Sequence, residues 1–327
     1  MKILVTGGAG FIGAYLVKRL VKLGHDVTVV DNFSRGLPER LNSISQKIDL
    51  QNIDLRTDFK KLEMVSSGID LLYHLAAVNG TENFYSHSDL VLDVGVLGML
   101  NVLNSTEKNS IENLIVASSA EVYQTAKIIP TPESAELIIP DPLEPRYSYA
   151  ASKIITEQLT LAYLRSKRIN NAIVFRPHNV YGPDMGFKHV VPQFLQRAFE
   201  IQKTNFSKEF EIYGNGKETR AFCYVDDIVD GLILLKDKGK SGEIYHIGND
   251  HEITINELFD VINQHFQNKL VKVFLKGFSG ATNRRCPEIT KMKKIGYAPQ
   301  ISISEGIERT FNYYKDIDFK NISNKLV

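Results

Sequence analysis

Apolar positions along the chain fall into two patterns. The first is a set of short, nearly unbroken runs: Ile3-Leu4-Val5, Val27-Thr28-Val29-Val30, and residues 48–53, 69–75, 114–117 and 172–175. Short runs bounded by polar or glycine-rich segments predict strands covered on both faces. The second pattern spaces apolar residues at helical intervals, as in Phe11-Ile12-Gly13-Ala14-Tyr15-Leu16-Val17, and again over 58–66, where Asp58 stands near the start. Strands alternating with helices predict an α/β fold: a doubly wound parallel sheet with helices on both faces.

Two longer stretches, 86–108 and 148–168, predict long helices. The first is apolar nearly all round, through Leu90, Val91, Leu92, Val94, Val96, Leu97, Leu100, Val102 and Leu103. A helix of that kind covers more than one face. Gly95 and Gly98 lower its intrinsic propensity, so close packing must compensate. Residues 32–46 read as a loop or short helix, and 124–147 as a proline-rich polar loop. Beyond 176 the alternation loosens. A helix over 190–202, a strand over 210–213, the Gly214-Asn215-Gly216 turn and a strand over 221–225 predict a smaller mixed α/β region. The expected division is a first domain over 1–175, to which some later segments return, and a second over 176–327. Residues 316–327 are polar and expected to fray.

Composition adds mainly exclusions. The 327 residues are 43% apolar, and 39 Lys and Arg stand against 38 Asp and Glu. A formal charge of +1 gives no sign of a nucleic-acid or membrane surface. The cluster Lys291, Lys293 and Lys294 reads as a solvated helix face. The two cysteines, Cys223 and Cys286, lack metal-ligand spacing, and their scarcity fits a reducing compartment. The eight histidines are scattered, so no metal is expected. The chain enters its first strand directly and holds no apolar run long enough to span a bilayer, so a cytoplasmic protein is expected.

Candidate chemistry begins at Val5-Thr6-Gly7-Gly8-Ala9-Gly10-Phe11-Ile12-Gly13. A strand, a glycine turn and a helix N-terminus come in that order. Gly7 and Gly10 let the backbone turn and approach a pyrophosphate, Gly13 lets the helix pack against the sheet, and the first-turn N–H groups of Phe11 and Ile12 face the phosphates. Asp31 ends the next apolar run, about twenty residues on, where a carboxylate accepts from both adenosine ribose hydroxyls. A 2′-phosphate there would meet like charge, so NAD is the expected cofactor; Arg35 stands close enough to complicate that preference. Asp54 and Leu55 close the third strand, where they can meet an adenine. Ala76 and Ala77 close the fourth, where small residues let a dinucleotide pass.

Tyr149 and Lys153 stand one helical turn apart and share a face. A phenol titrates near ~10, and a nearby ammonium together with a cationic nicotinamide favours the phenolate. It can then take a hydroxyl proton while hydride leaves the same carbon. Ser119, at the end of the fifth strand, offers a hydroxyl to the same substrate oxygen. His74, at the end of a core strand, reads as a packing residue; His178 reads equally as a substrate contact or a satisfied core histidine.

Taken together, these residues resemble the extended short-chain dehydrogenase/reductase family, and within it the nucleotide-sugar epimerases and dehydratases. The likeness also runs through Asp31-Asn32, His74-Leu75-Ala76-Ala77, Ser118-Ser119-Ala120-Glu121-Val122-Tyr123, the segment Arg176-Pro177-His178-Asn179-Val180-Tyr181-Gly182-Pro183, and Arg220 to Asp227. The resemblance implies a Rossmann-type NAD-binding domain with a smaller substrate domain. It implies Ser119, Tyr149 and Lys153 as the catalytic set, with Asn32, Leu75 and Pro177 also beside the cofactor. It implies Asn179, Arg220 and Arg285 on the substrate diphosphate, and Val191, Pro192 and Tyr213 lining the nucleoside pocket. Guanidinium groups suit phosphates physically; between the adjacent Arg284 and Arg285, Arg285 is the expected ligand. The sugar would be oxidised at C4, altered as a ketone, and reduced again or released. Ser-Ser-Ala-x-Val-Tyr looks like a 4-epimerase. Glu121 departs from that pattern and can act as a base beside the ketone, for epimerisation at another carbon or for elimination, or be a solvated carboxylate. Gly95 and Asn79 depart too, standing where relatives carry asparagine and lysine. A homodimer built as a four-helix bundle from the two long helices is also implied.

Overall fold

The computed structural model describes residues 1–204, 208–277, 282–317 and 319. Most of the segment expected to fray therefore lies outside the described residues. The first half alternates as the apolar runs require: β1 (Lys2–Thr6), α1 (Phe11–Lys22), β2 (Asp26–Asp31), β3 (Ile48–Asn52), α2 (Phe59–Val65) and β4 (Leu71–His74). Residues Pro38–Lys47 form a 3-10 helix between β2 and β3. Next come α3 (Thr81–Ser86), α4 (Ser88–Leu92), α5 (Gly98–Lys108), β5 (Asn113–Ala117), α6 (Ser148–Arg165) and β6 (Asn171–Pro177).

The helix expected over 86–108 is a correction. It is interrupted at Asp93–Leu97 by a π-helical turn. The cause is the packing of Gly95: a Cβ there would lie 2.6 Å from the Ser152 Cβ, and the Gly95 carbonyl accepts from Thr156 Oγ1 at 3.0 Å. Only the small Ser152 side chain separates the two helices there, and the extra residue of a π turn accommodates the approach.

The later chain forms β7 (Val180–Tyr181), α7 (Val190–Thr204), β8 (Glu209–Tyr213), β9 (Thr219–Arg220), β10 (Cys223–Tyr224), α8 (Val225–Lys238) and β11 (Ile244–Ile247). It ends with β12 (Ile253–Thr254), α9 (Ile255–Asn263), β13 (Val271–Leu275), β14 (Arg284–Arg285), α10 (Thr290–Lys294) and α11 (Ile303–Tyr314). The strand expected over 221–225 shrinks to the two-residue β10, with β9 just before it in a different sheet, and Val225 already opens α8.

The seven-stranded sheet has the order β11-β6-β5-β4-β1-β2-β3, and all its pairings are parallel. The order reverses between β1 and β4, which opens a crevice at the C-terminal ends of those strands. β11 extends the sheet at β6, and Ile228, Val229, Leu232 and Leu235 of α8 bury against the core of β1, β2 and α1. A second apolar core is built from α7, β8, α9 and α11, with Phe194, Phe210, Phe259 and Ile307 fully or nearly buried. The capping box at Thr254 and Glu257 starts α9 and fixes the entry of that core helix.

Candidate functional site

One cleft of about 510 Å³ runs along the C-terminal ends of the strands. At one end the backbone does most of the work. Gly7 has φ +70°, and a Cβ on it would lie 2.7 Å from the Ala76 nitrogen; a Cβ on Gly13 would lie 2.1 Å from the Gly7 carbonyl oxygen. Glycine is required at both places by close approach, and at Gly7 by conformation as well. The turn is pinned by Gly7 N–H to the Val30 carbonyl, 2.8 Å, and Gly10 N–H to the Gly7 carbonyl, 3.0 Å. Phe11, Ile12 and Gly13 line the cleft from the first turn of α1.

The Asp31 carboxylate accepts from the Ala9 and Phe33 backbone amides at 3.1 and 2.9 Å. Burial raises its pKa, and those amides oppose the rise. Gly36 packs against it so closely that a Cβ would lie 2.6 Å from either oxygen. Asn32 donates to Asp54 at 3.1 Å. Arg56 holds Asp54 down at about 2 by a charge-assisted bond of 2.8 Å. Arg35 turns away from this end: its guanidinium donates to the Asn79 carbonyl. That leaves Asp31 as a cleft carboxylate at this end, with Arg40 beside it held by Asp184. Leu55, Leu75, Ala76, Ala77 and Pro177 line the same cleft. A glycine cradle that any Cβ would fill, with a carboxylate beyond it, fits a dinucleotide without a 2′-phosphate.

At the other end stand the acid–base candidates. Ser119 follows β5 and accepts from the Glu121 amide at 3.1 Å, and its hydroxyl acts on the Tyr149 phenol. Tyr149 packs among Val78, Val91 and Val94, and its ring stacks on Phe84 at 5.3 Å. Burial pushes its hydroxyl up to about 12, with the Ser119 hydroxyl acting the other way. The nitrogen of Lys153 lies 5.9 Å from the Tyr149 ring centroid and donates to the Ala117 carbonyl at 2.8 Å. Burial brings Lys153 down to about 8, against a raising effect from Glu157. In the protein alone, desolvation outweighs the lowering effects of Ser119 and Arg35 at Tyr149, so the acidification expected from the sequence requires a further positive charge. His74 is buried, bonds to Thr6 at 2.8 Å, and is lowered to about 3 by burial. His178 is buried outside the cleft lining, and neither ring nitrogen has a protein partner.

The expected substrate residues separate. Asn79, Asn179 and Arg285 line the cleft. Asn79 spends its side-chain oxygen on the Gly80 amide, 2.7 Å, and Asn179 donates to the Ala221 carbonyl, 3.2 Å. Asn179 has φ +40°, a strained value for a non-glycine residue of the kind that gathers at functional sites. Arg285 pairs with Glu121 through both guanidinium branches, so Glu121 is not a solvated carboxylate. Arg220 is its neighbour in parallel register, outside the lining, and donates to the Thr219 carbonyl at 2.7 Å. Val191 lies outside the lining too: only 1% exposed, it belongs to the second apolar core. Tyr213 is 47% exposed on β8, also outside it. Lining residues not expected from the sequence include Phe84, Lys188 and His189, the last lowered to about 4 by burial. Phe84 sits on the short polar helix α3, and Lys188 and His189 in the irregular turn before α7, where no apolar periodicity marks them.

Comparison with known proteins agrees with this geometry. A UDP-N-acetyl-alpha-D-glucosaminuronate decarboxylase of Bacillus cytotoxicus is 32% identical, over 96% of this chain and 98% of its own length. The crystal structure of a UDP-glucose 4-epimerase of Thermotoga maritima with UDP-glucose superposes with a TM-score of 0.85 at 28% identity, over 96% of this chain and 99% of that one. A dTDP-glucose 4,6-dehydratase of Streptomyces venezuelae with NAD bound gives 0.83 at 27%, over 97% of each chain. The family profile matches residues 3–248, and the chain belongs to the NAD dependent epimerase/dehydratase family.

Proposed function

We propose that this protein is an NAD-dependent nucleotide-sugar epimerase that works through a transient 4-keto sugar. The observation that carries the reading is Tyr149, beside Lys153 and acted on by the Ser119 hydroxyl, in the same cleft as the Gly7 turn. Bound NAD supplies a hydride acceptor, and afterwards the donor. Tyr149 takes the proton of the C4 hydroxyl as hydride departs, and returns it when the ketone is reduced on its other face. Ser119 holds the substrate oxygen. Lys153 keeps positive charge beside the developing phenolate and is placed to hold a ribose hydroxyl. Gly7, Gly10, Phe11, Ile12 and Gly13 face the pyrophosphate, and Asp31 the adenosine ribose, with Asn32, Asp54 and Leu55 around the base. Arg285, with Arg220 beside it, is assigned to the substrate diphosphate. Residues 1–175, with α8 and β11, hold the cofactor, and most of 176–327 holds the substrate.

A second reading rests on Glu121. It is a cleft carboxylate that acts electrostatically on Tyr149, placed to move a proton at a carbon next to the ketone. Elimination or decarboxylation then follows oxidation, as the names of the Bacillus and Streptomyces relatives suggest. A panel of UDP-, GDP-, CDP- and dTDP-sugars that includes uronic acids, read by NMR and mass spectrometry, separates the readings. An epimer of unchanged mass supports the first, and loss of water or of carbon dioxide supports the second. A protein that retains NAD yet alters nothing in the panel would be a non-catalytic member of the fold, and both readings fail.

We also assign a homodimer in which α4, α5 and α6 pair with their copies. Leu97, in the π turn between α4 and α5, and Ile155 on α6 are 44% and 38% exposed, large apolar groups that a partner would cover. Light scattering of Ile155→Glu should give a monomer; a wild-type monomer removes the assignment. Among the described residues no helix is long and apolar enough to cross a membrane. Both cysteines are free and buried, which fits the cytoplasmic placement assigned here.

A further inference from the structure

Beneath the acid–base pair lies an ion pair that the proposed chemistry does not use. Glu157, one turn beyond Lys153 on α6, accepts from Arg176 Nε at 2.7 Å and from Arg176 Nη2 at 2.6 Å. The two side chains are 1% and 2% exposed. The same carboxylate accepts from the Ser118 hydroxyl. Arg176 in turn donates to the Tyr123 hydroxyl and to the Glu133 carbonyl, the latter at 2.8 Å. Tyr123 meets His246 at 2.6 Å.

These bonds have one geometric result. The segment from Ala117 to Tyr123 carries Ser119 and Glu121, while α6 carries Tyr149 and Lys153. Two cross-links tie them immediately before Ser119: Lys153 to the Ala117 carbonyl, and Glu157 to the Ser118 hydroxyl. Arg176, on the neighbouring β6, braces the second link and reaches the far end of the segment at Tyr123. We infer that Glu157, braced by Arg176, is a positioning residue of the acid–base site: it sets the register of Ser119 against Tyr149 and supplies the negative charge that keeps Lys153 protonated.

Burying an ion pair of this kind is seldom a gain in stability over apolar packing, so its presence calls for another role. The charge argument is direct. Lys153 is buried, and burial favours its neutral form. The groups around it are His74, itself held neutral by burial, the phenol Tyr149, the Ala117 carbonyl, and Glu157 with Arg176 behind it. Among these the carboxylate of Glu157 is the fixed negative charge opposing that loss of the proton.

The inference rests on the catalytic reading of Tyr149 and Lys153, so the test includes a readout that needs no turnover. In NAD-loaded protein carrying 13Cε-lysine, the Lys153 resonance is assigned with Lys153→Met and followed against pH. In Glu157→Gln the Lys153 midpoint should fall by about one unit or more, and the alkaline limb of kcat/KM should move down with it. kcat should drop about tenfold or more through lost register, with the nucleotide-sugar KM within about twofold. Glu157→Asp keeps the charge and should restore the limb while leaving kcat low. If Glu157→Gln does not fold, Glu157→Gln combined with Arg176→Met leaves no lone buried charge and answers the same question. A Lys153 midpoint and limb unchanged in whichever variant folds overturn the inference and leave the pair a structural strut. Wild-type protein that turns over no sugar in the panel, yet shows the shift, overturns the catalytic reading instead.

Discussion

The two ends of the cleft are built differently. At the glycine-turn end, contacts are mostly made by backbone: Asp31 is held by the amides of Ala9 and Phe33, and the turn by its own glycines. At the sugar end, side chains from distant segments meet one another. Glu121 meets Arg285 across 164 residues, and Lys188 meets Glu82 across 106. A backbone cradle is rigid before any ligand arrives. Charged side chains paired with each other can exchange those partners for a ligand. One end is suited to a cofactor held through every turnover, the other to a substrate that enters and leaves.

Breaking the chemistry should have the largest effect. Tyr149→Phe removes the hydroxyl and keeps the ring stacked on Phe84, so the fold and the NAD cradle stay intact. Turnover should fall by roughly 10³-fold, within the usual range for a lost general acid–base group. The check is single-turnover NADH absorbance together with NAD content by denaturation and chromatography. Full activity would remove the assignment of the base.

Breaking the cradle comes next. Gly13→Ala forces a methyl toward the Gly7 carbonyl, where the unshifted contact would be 2.1 Å. The turn must open, at a cost of roughly 1–3 kcal/mol in stability. Purified protein should lose its NAD and melt at lower temperature, and an NAD-replete variant of native Tm shows that the approach is softer than this geometry implies.

The pH profile sharpens the contrast without a mutation. Tyr149 is raised by burial and Lys153 lowered to about 8. Once the positive ring of bound NAD brings the phenol below Lys153, deprotonating the phenol should set the acidic limb of kcat/KM, and deprotonating the ammonium the alkaline limb, because the phenolate and the ammonium are the working forms. For stability the sign is opposite at Lys153. Its folded pKa lies below the unfolded value, so the unfolded chain binds more protons between them, and stability rises with pH across that window. At Asp54, held near 2 by Arg56, stability present above the ordinary carboxylate value is lost as pH falls toward 2. Loss of activity above the alkaline limb while the folded fraction holds, seen by circular dichroism in the same buffers, separates the two effects.

The same contrast decides what could be read from residue order. The glycine turn, Asp31, the strand ends at Ala76 and Ser119, and the Tyr149–Lys153 spacing were legible because each is a local feature whose geometry follows from a few consecutive dihedrals. The sugar end was only partly legible. Arg285 lines the cleft, but Val191 is turned into an apolar core, and Tyr213 and Arg220 lie beside the cleft rather than along it. Their side-chain directions depend on how short strands pair across the second half, and no periodicity encodes that. The π turn at Asp93–Leu97 escaped for a similar reason: it answers a close approach of Gly95 to Ser152 from another helix. Glu157 did leave a signal, a carboxylate on the same helical face as Tyr149 and Lys153, but its partner Arg176 is known only once β6 lies beside β5.

The smallest expected effect lies where the two halves touch at the surface. Lys188, before α7, bonds to Glu82 on α3, the short helix whose Phe84 covers Tyr149. The lysine and glutamate side chains are 36% and 66% exposed, so salt screens the pair and its contribution to stability is below about 1 kcal/mol. Lys188→Ala should therefore leave Tm nearly unchanged. Because Lys188 lines the cleft, the nucleotide-sugar KM should rise by about threefold or less, and wild-type KM should drift toward the variant's as salt is raised. A variant KM that matches wild type at low salt would mean the pair is a surface contact without bearing on entry. A loss of kcat larger than that of Tyr149→Phe would reverse the ranking and move the centre of the chemistry to the C-terminal side of the cleft.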